Sequence, residues 1–204
     1  EGHGKIEIFL NDEGDVANAY FQIPELRALE QVCVDRPAEE IPGITNRICG
    51  VCPEAHHMAA AKAADEVYHV DPPPTAKKLR ELFYMAFYCT DHTTHFYALG
   101  GPDFVVGPDA PKGKRNILGV VKKVGAEVGK KVIDARHAGH RVIEIIGGRR
   151  IHPCTGVPGG MTKAISDEER DEIKGLAESY KARRKPMRRT TDVARKKIIS
   201  VDRL

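Results

Sequence analysis

The sequence predicts an α+β fold that is mainly α: an N-terminal β-hairpin followed by a long-helix bundle. Three observations carry this expectation. Residues 1–23 alternate β-favouring side chains around one Asn-Asp-Glu-Gly-Asp turn. Later stretches place apolar side chains at helical spacing. Proline and glycine clusters at 71–74, 100–114 and 147–148 separate those stretches. We expect a single domain over 1–204, with the hairpin in 1–23 and a helical bundle with loops in 24–204. The chain opens at Glu1 without a methionine, and we expect it to be the incomplete N-terminal part of a larger subunit.

Lys5 to Leu10 and Val16 to Ile23 read as two strands joined by the turn at Asn11 to Asp15. Pro24 is suited to begin a short helix, with Leu26, Leu29 and Val32 on its buried side. Ala38 to Asn46 reads as a loop. Pro53 to about Tyr68 is alanine-rich and helical, with Pro53 at a first helical position. Asp71-Pro72-Pro73-Pro74 breaks the chain. Thr75 is expected to cap a long helix to about Leu99, with a stripe at Leu79, Leu82, Phe83 and Phe87. A loop follows from Gly100 to Lys114, and a second long helix from Asn116 to Ile146. Each long helix is expected to have about 25–30 residues, spanning some 40 Å. Ile151 to Met161 reads as an irregular loop. Ser166 with Glu169 forms a capping box before a charged last helix.

Composition excludes several classes. Hydrophobic residues make up 41% and charged residues 30%, as in an ordinary globular protein. No apolar run approaches the roughly 20 residues of a membrane span, and no secretory signal is expected. Five unevenly spaced cysteines do not make a disulfide scaffold and suit a reducing cytoplasm. Cys89, in an apolar-aromatic helix, reads as a small core residue. Net charge is only +3, although Lys181, Arg183, Arg184, Lys185, Arg188, Arg189, Arg195, Lys196 and Lys197 crowd the end. No aromatics interleave with them to stack on bases, so nucleic acid is not the expected partner.

The chemistry centres on Arg47-Ile48-Cys49-Gly50-Val51-Cys52-Pro53-Glu54-Ala55-His56-His57. Two thiols three residues apart can share one soft metal. They lie on the turn feeding a helix N-terminus, whose N–H groups and dipole favour thiolate. Spacing alone leaves structural zinc with His56 or His57, a redox dithiol, an iron–sulfur fragment and a catalytic metal all open.

Five elements together are more specific. Arg47-x-Cys49-Gly50-x-Cys52-x-x-x-His56 resembles the first nickel-binding motif of NiFe hydrogenase large subunits. Glu1-Gly2-His3 resembles that family's N-terminal glutamate motif, and Arg27-Ala28-Leu29-Glu30 its segment upstream of the cysteines. Asp91-His92-Thr93-Thr94-His95-Phe96-Tyr97 resembles its Asp-His helix. Gly147-Gly148-Arg149-Arg150-Ile151-His152-Pro153, then Pro158-Gly159-Gly160, resembles a later His-Pro loop. The elements follow in the family's order across residues 1 to about 160.

The resemblance implies the hydrogenase large-subunit fold and a role for each matching residue. Cys49 resembles the terminal thiolate on nickel, and Cys52 a thiolate bridging nickel and iron. His56 resembles the imidazole hydrogen-bonded to a bridging sulfur, and Glu1 the proton-relay carboxylate. Asp91 resembles an aspartate in the pocket above the metals, and Glu30 a carboxylate that helps bind Mg2+. Arg47 is read either as a neighbour of the site or as a structural salt-bridge residue. The implied cofactor is a Ni–Fe centre whose iron carries CO and cyanide. The family completes this centre with a second motif, Asp-Pro-Cys-x-x-Cys, which these 204 residues lack. The chain alone is therefore expected to be inactive.

Within the family, Gly101 to Asp109 and Arg115-Asn116 most resemble the soluble F420-non-reducing type, linked to methanogenesis. That implies three partners: an electron-transfer subunit, heterodisulfide reductase and an iron–sulfur small subunit, with H2 as substrate. A nickel-free electron-transfer subunit of the same fold and a zinc-stabilised interaction module are the alternatives.

Overall fold

A computed structural model describes residues 3–24 and 28–182, apart from the Leu29 side chain. Its contacts divide the chain into two compact units, Glu1–Pro37 and Ala38–Leu204.

In the first unit, strands β1 (Lys5–Leu10) and β2 (Val16–Gln22) pair antiparallel, as their alternation predicts. Asn11 holds the turn: its side chain accepts from the Asp15 N–H at 2.8 Å, and its own N–H donates to the Asp15 carbonyl at 2.9 Å. Register pairs Ile6 with Phe21 and Ile8 with Ala19, making one apolar face. The other face carries Lys5, Glu7, Phe9, Asn18, Tyr20 and Gln22, where Gln22 donates to Glu7 at 2.7 Å and Phe9 meets Tyr20 edge-on. The expected helix at Pro24 is corrected. Pro24 lies in a turn, Ala28 adopts a left-handed backbone (φ 62°), and α1 covers only Leu29–Cys33. Val32 is exposed, because so short a helix has no continuous stripe to bury.

The second unit is helical. It comprises α2 (Ile41–Thr45), α3 (Pro53–Val67), α4 (Pro74–Thr94), α5 (Ile117–Val124), α6 (Ala126–Gly147) and α7 (residues 167–182). The expected long helices differ in three respects. The first starts at Pro74, not Thr75, because proline is already tolerated in a helix's first turn. It leaves α geometry after Thr94 and continues as π-helical turns at His95–Leu99 and Pro102–Val106, which replace part of the expected loop. The second is split at Gly125, whose φ of 91° no helix accommodates, giving α5 and α6. Consequently α4 and α6 have 21 and 22 residues, shorter than predicted.

Two apolar clusters hold these helices. Met58, Phe83, Phe87, Val142, Ile143, Ile145, Ile146 and Ile173 join α3, α4, α6 and α7. Tyr97, Val105, Val120 and Val132 join the π-helical turns to α5 and α6. Gly139 lets α6 approach α4 closely: a Cβ there would stand 2.3 Å from Thr90 Cγ2. The capping box at α7 forms as expected, with Ser166 N–H donating to Glu169 at 3.0 Å and Glu169 N–H to Ser166 Oγ at 3.2 Å. Tyr180 ties α7 to α4 by a hydrogen bond to the Cys89 carbonyl at 3.3 Å. Cys89 itself is half-buried rather than a core residue. Of the predicted basic cluster, Lys181 lies on α7 and the rest lie outside the described residues. Among the described residues no helix is long and apolar enough to cross a membrane.

The loop expected at 151–161 contains a small hairpin, β3 (Gly156–Val157) with β4 (Gly160–Met161). A buried ion pair anchors it. Arg80 donates to Asp65 at 2.5 and 3.2 Å, and also to the carbonyls of Val157 (2.8 Å) and Gly160 (2.9 Å). The Gly159 N–H completes Asp65 at 2.8 Å. Burial pushes the Asp65 carboxyl up, but Arg80 and the Gly159 N–H outweigh it, so its pKa lies below the usual value.

Candidate metal centre

Cys49 and Cys52 occupy the turn between α2 and α3. Pro53 opens α3, and Cys52 is its N-cap residue, with φ −124° and ψ 42°. The turn folds back so that the N–H groups of Val51 and Cys52 reach Cys49 Sγ at 3.4 and 3.3 Å. Two backbone donors thus converge on this one sulfur. His56, four residues beyond Cys52, lies one turn into α3. The ligand atoms of Cys49, Cys52 and His56 all lie within 4.8 Å of one another, and all three residues are half-buried. Among the described residues no other group of three His, Cys, Asp or Glu gathers this closely.

The donor set fits a soft or borderline metal: two sulfurs that can each contact two metals, with an imidazole beside them. These residues supply only part of a coordination sphere. Cys154 does not complete it. Its sulfur accepts from Asn46 Nδ2 at 3.3 Å, on the loop that packs behind the cysteine turn.

The wall beside Cys52 comes from α4. Tyr84, Tyr88 and Asp91 share one face at helical spacing. Burial and the Tyr88 hydrogen bond raise the Tyr84 phenol pKa, and the charges of Asp91 and Cys52 push it further up. Asp91 also acts on Glu54, which is 2% exposed in the first turn of α3. Burial is the main reason that the Glu54 carboxyl is pushed up to about 7, opposed by a backbone hydrogen bond and assisted by Asp91. Glu54 was not a sequence candidate: a glutamate after a helix-starting proline looks like a solvated N-terminal charge, and only the packed fold buries it.

His57, adjacent to His56, turns the other way and is 1% exposed. Its Nδ1–H donates to the Pro42 carbonyl at 2.9 Å, and Nε2 accepts from the N–H groups of Thr155 (3.0 Å) and Gly156 (2.8 Å). Burial pushes its pKa down; the Pro42 bond opposes this and the Arg80 charge adds to it. Arg47 donates to the Gly43 carbonyl and, at 3.1 Å, to Asn46 Oδ1, so its guanidinium braces the loop before the cysteines.

The other expected site residues stand as follows. Asp91 is half-buried on α4, with His92 Nδ1 3.6 Å from its carboxylate. Glu30 is exposed in the first turn of α1, within the first unit. Glu1 lies outside the described residues. A 580 Å³ cleft between α3 and α4, bordered by Ala55, Asp65, Arg80 and Tyr84, contains neither cysteine.

Residues 27–116 match the family model described as nickel-dependent hydrogenase, and residues 1–26 match the HoxL-like model. An iron-sulfur subunit of the F420-non-reducing hydrogenase of Archaeoglobus profundus is 52% identical over 177 residues, covering 87% of this chain and 36% of that protein. A vhu subunit of the F420-non-reducing hydrogenase of Methanocaldococcus jannaschii is 48% identical, over 85% of this chain and 41% of that relative. Among solved structures, an NAD+-reducing NiFe-hydrogenase in the H2-reduced state superposes with TM-score 0.75 at 38% identity, over 90% of this chain and 41% of that one. The Ni-Fe-Se hydrogenase of Desulfovibrio vulgaris Hildenborough superposes with TM-score 0.69 at 30% identity, over 88% and 39%. The chain spans well under half the length of these relatives. With its mainly helical fold and N-terminal hairpin, it belongs to the nickel-dependent hydrogenase large-subunit family.

Proposed function

We propose that this chain is the N-terminal part of the catalytic subunit of a NiFe hydrogenase, which cleaves H2 heterolytically and reversibly. The observation that carries this reading is the convergence of Cys49, Cys52 and His56 at the start of α3. When bound, the Ni–Fe group supplies soft metals that polarise H2 and accept its electrons. Cys49, with two N–H groups on its sulfur, would serve as the nickel-side thiolate, and Cys52, beside α4, as the bridging one. His56 would donate a hydrogen bond to the bridging sulfur and temper its basicity. Glu1 would take up the proton released and pass it outward. Asp91 would line the pocket where H2 arrives, and Glu30 would contribute an oxygen ligand to Mg2+.

The single domain of the complete subunit would include residues beyond these 204 that carry the second cysteine pair. Electrons would leave through a small subunit bearing iron–sulfur clusters. The relatives are F420-non-reducing hydrogenase subunits; in an enzyme of that type the electrons would pass onward through an electron-transfer subunit to heterodisulfide reductase, in the cytoplasm. The iron would carry CO and cyanide.

Metal analysis of the intact complex tests the reading. Nickel and iron in equal amounts at this site, with infrared bands from iron-bound diatomic ligands, are expected. Zinc alone would overturn it in favour of a zinc-stabilised module. Glu1→Gln should keep the nickel and slow turnover by about 10²–10⁴-fold.

A further inference from the structure

The cysteine turn is held at both ends by one distant loop. Before it stands Asn46, fully buried, whose Nδ2 donates to the Pro153 carbonyl at 2.8 Å. The Asn46 carbonyl in turn accepts from His152 Nδ1 at 2.9 Å. After it stands His57, whose Nε2 accepts from both the Thr155 and Gly156 N–H groups. Residues 46 and 57 thus bracket Cys49, Cys52 and His56, and both grip residues 152–156. His152 has φ 52°, a left-handed backbone that a non-glycine residue adopts only when its surroundings hold it.

The geometry points to His57 as a positioning residue for the metal centre: held as the Nδ1–H tautomer between Pro42 and the 155–156 backbone, it sets the direction in which His56 and the cysteine turn face. Three hydrogen bonds fix both the tautomer and the ring plane. Nδ1 can satisfy the Pro42 carbonyl only as a donor, and Nε2 can receive two N–H groups only as an acceptor. Because His56 and His57 are consecutive on α3, locking the rotation of one about the helix axis locks the other. His57 has no need to touch a metal for this. It acts through the backbone of α3 on one side and through the His152–Gly156 loop on the other.

The inference rests on the nickel-centre reading, so its test includes one readout that needs no metal. In the intact enzyme, His57→Phe keeps a planar aromatic ring, although a larger one, and removes all three hydrogen bonds. His57→Gln offers an oxygen that can reach the Thr155 and Gly156 N–H groups. His57→Asn is shorter and can serve only the Pro42 side. The expected result is a loss of nickel affinity of about 10–100-fold in the Phe variant. Any centre that still assembles should show displaced infrared bands. Gln should restore both better than Asn.

The same variants in the metal-stripped full-length subunit should show faster maleimide labelling of Cys49 and Cys52 in Phe than in the parent, again corrected by Gln more than by Asn. Unshifted bands with full nickel in the Phe variant would overturn the assignment. So would labelling rates equal across the series, or Asn rescuing as well as Gln. If the Phe variant fails to fold, the order of Gln and Asn decides. If the parent proves to hold no nickel, the function reading fails while the labelling series still decides the clamp.

Discussion

Replacing Arg80 with methionine perturbs the buried ion pair that ties α3, α4 and the β3–β4 hairpin together. The substitution removes four hydrogen bonds: two to Asp65 and one each to the Val157 and Gly160 carbonyls. Methionine fills most of the volume, so the cost is chiefly electrostatic. Asp65, with 9% of its side chain exposed, is left as a buried carboxylate with the Gly159 N–H still bonded to it. Breaking such a pair from one side typically costs about 3–5 kcal/mol. That is a large share of the roughly 5–15 kcal/mol that holds a typical domain together.

Urea unfolding of the intact subunit measures the loss, and pH supplies an independent sign. In the parent, the folded pKa of Asp65 lies below its unfolded value of about 4. Its stabilisation is therefore complete above that pH and is lost as pH falls through the folded pKa. Without Arg80, burial dominates and raises the folded pKa, so the penalty should ease on acidification as Asp65 takes up a proton. Removing both charges with Asp65→Leu and Arg80→Met should cost less than removing Arg80 alone. A single variant within about 1 kcal/mol of the parent at pH 7, the worth of one ordinary hydrogen bond, would refute this account. So would a variant that loses stability on acidification as the parent does.

Further outcomes follow from the same structure. Cys49→Ser or Cys52→Ser should abolish stable nickel incorporation into the intact complex, measured as nickel per polypeptide, because a hard hydroxyl is a poor substitute for a soft thiolate. Asp91→Asn should leave nickel content near that of the parent and lower H2 turnover by about tenfold or more, the scale typical of groups that orient a metal site; equal turnover would remove Asp91 from the site. Gly139→Ala should destabilise by about 1–3 kcal/mol by driving α6 against Thr90. Thermal unfolding of that variant with and without Thr90→Ala checks the contact, since shortening Thr90 should recover part of the loss.

Local rules made much of this chain legible. Alternation around a turn located the hairpin, and a serine with a glutamate three residues on located the start of α7. Proline and glycine, by contrast, carry two meanings. Pro74 starts a helix that the residue after it was expected to cap. Gly119, Gly125, Gly129 and Gly139 look alike in sequence, yet Gly125 ends a helix while Gly139 lies inside one, where α4 needs room. Only the packing of α5 and α6 against different partners separates them. The π-helical turns after Thr94 are equally hidden, because no residue type demands them.

Sequence by itself located the cysteine turn as the candidate metal site. The pattern Cys-x-x-Cys with a histidine four residues later needs one turn and one helical turn, so its geometry is local. It also determined the family, since five ordered motifs suffice. Tertiary structure decided which histidine faces the cysteines. Successive residues on a helix point about 100° apart, so His56 and His57 cannot share a role. Which takes which depends on where the His152–Gly156 loop docks, nearly a hundred residues away along the chain. The Asp65–Arg80 pair exists only once α4 lies against α3, and Glu54 is buried only in the packed fold, because desolvation belongs to the packed structure and not to any stretch of sequence.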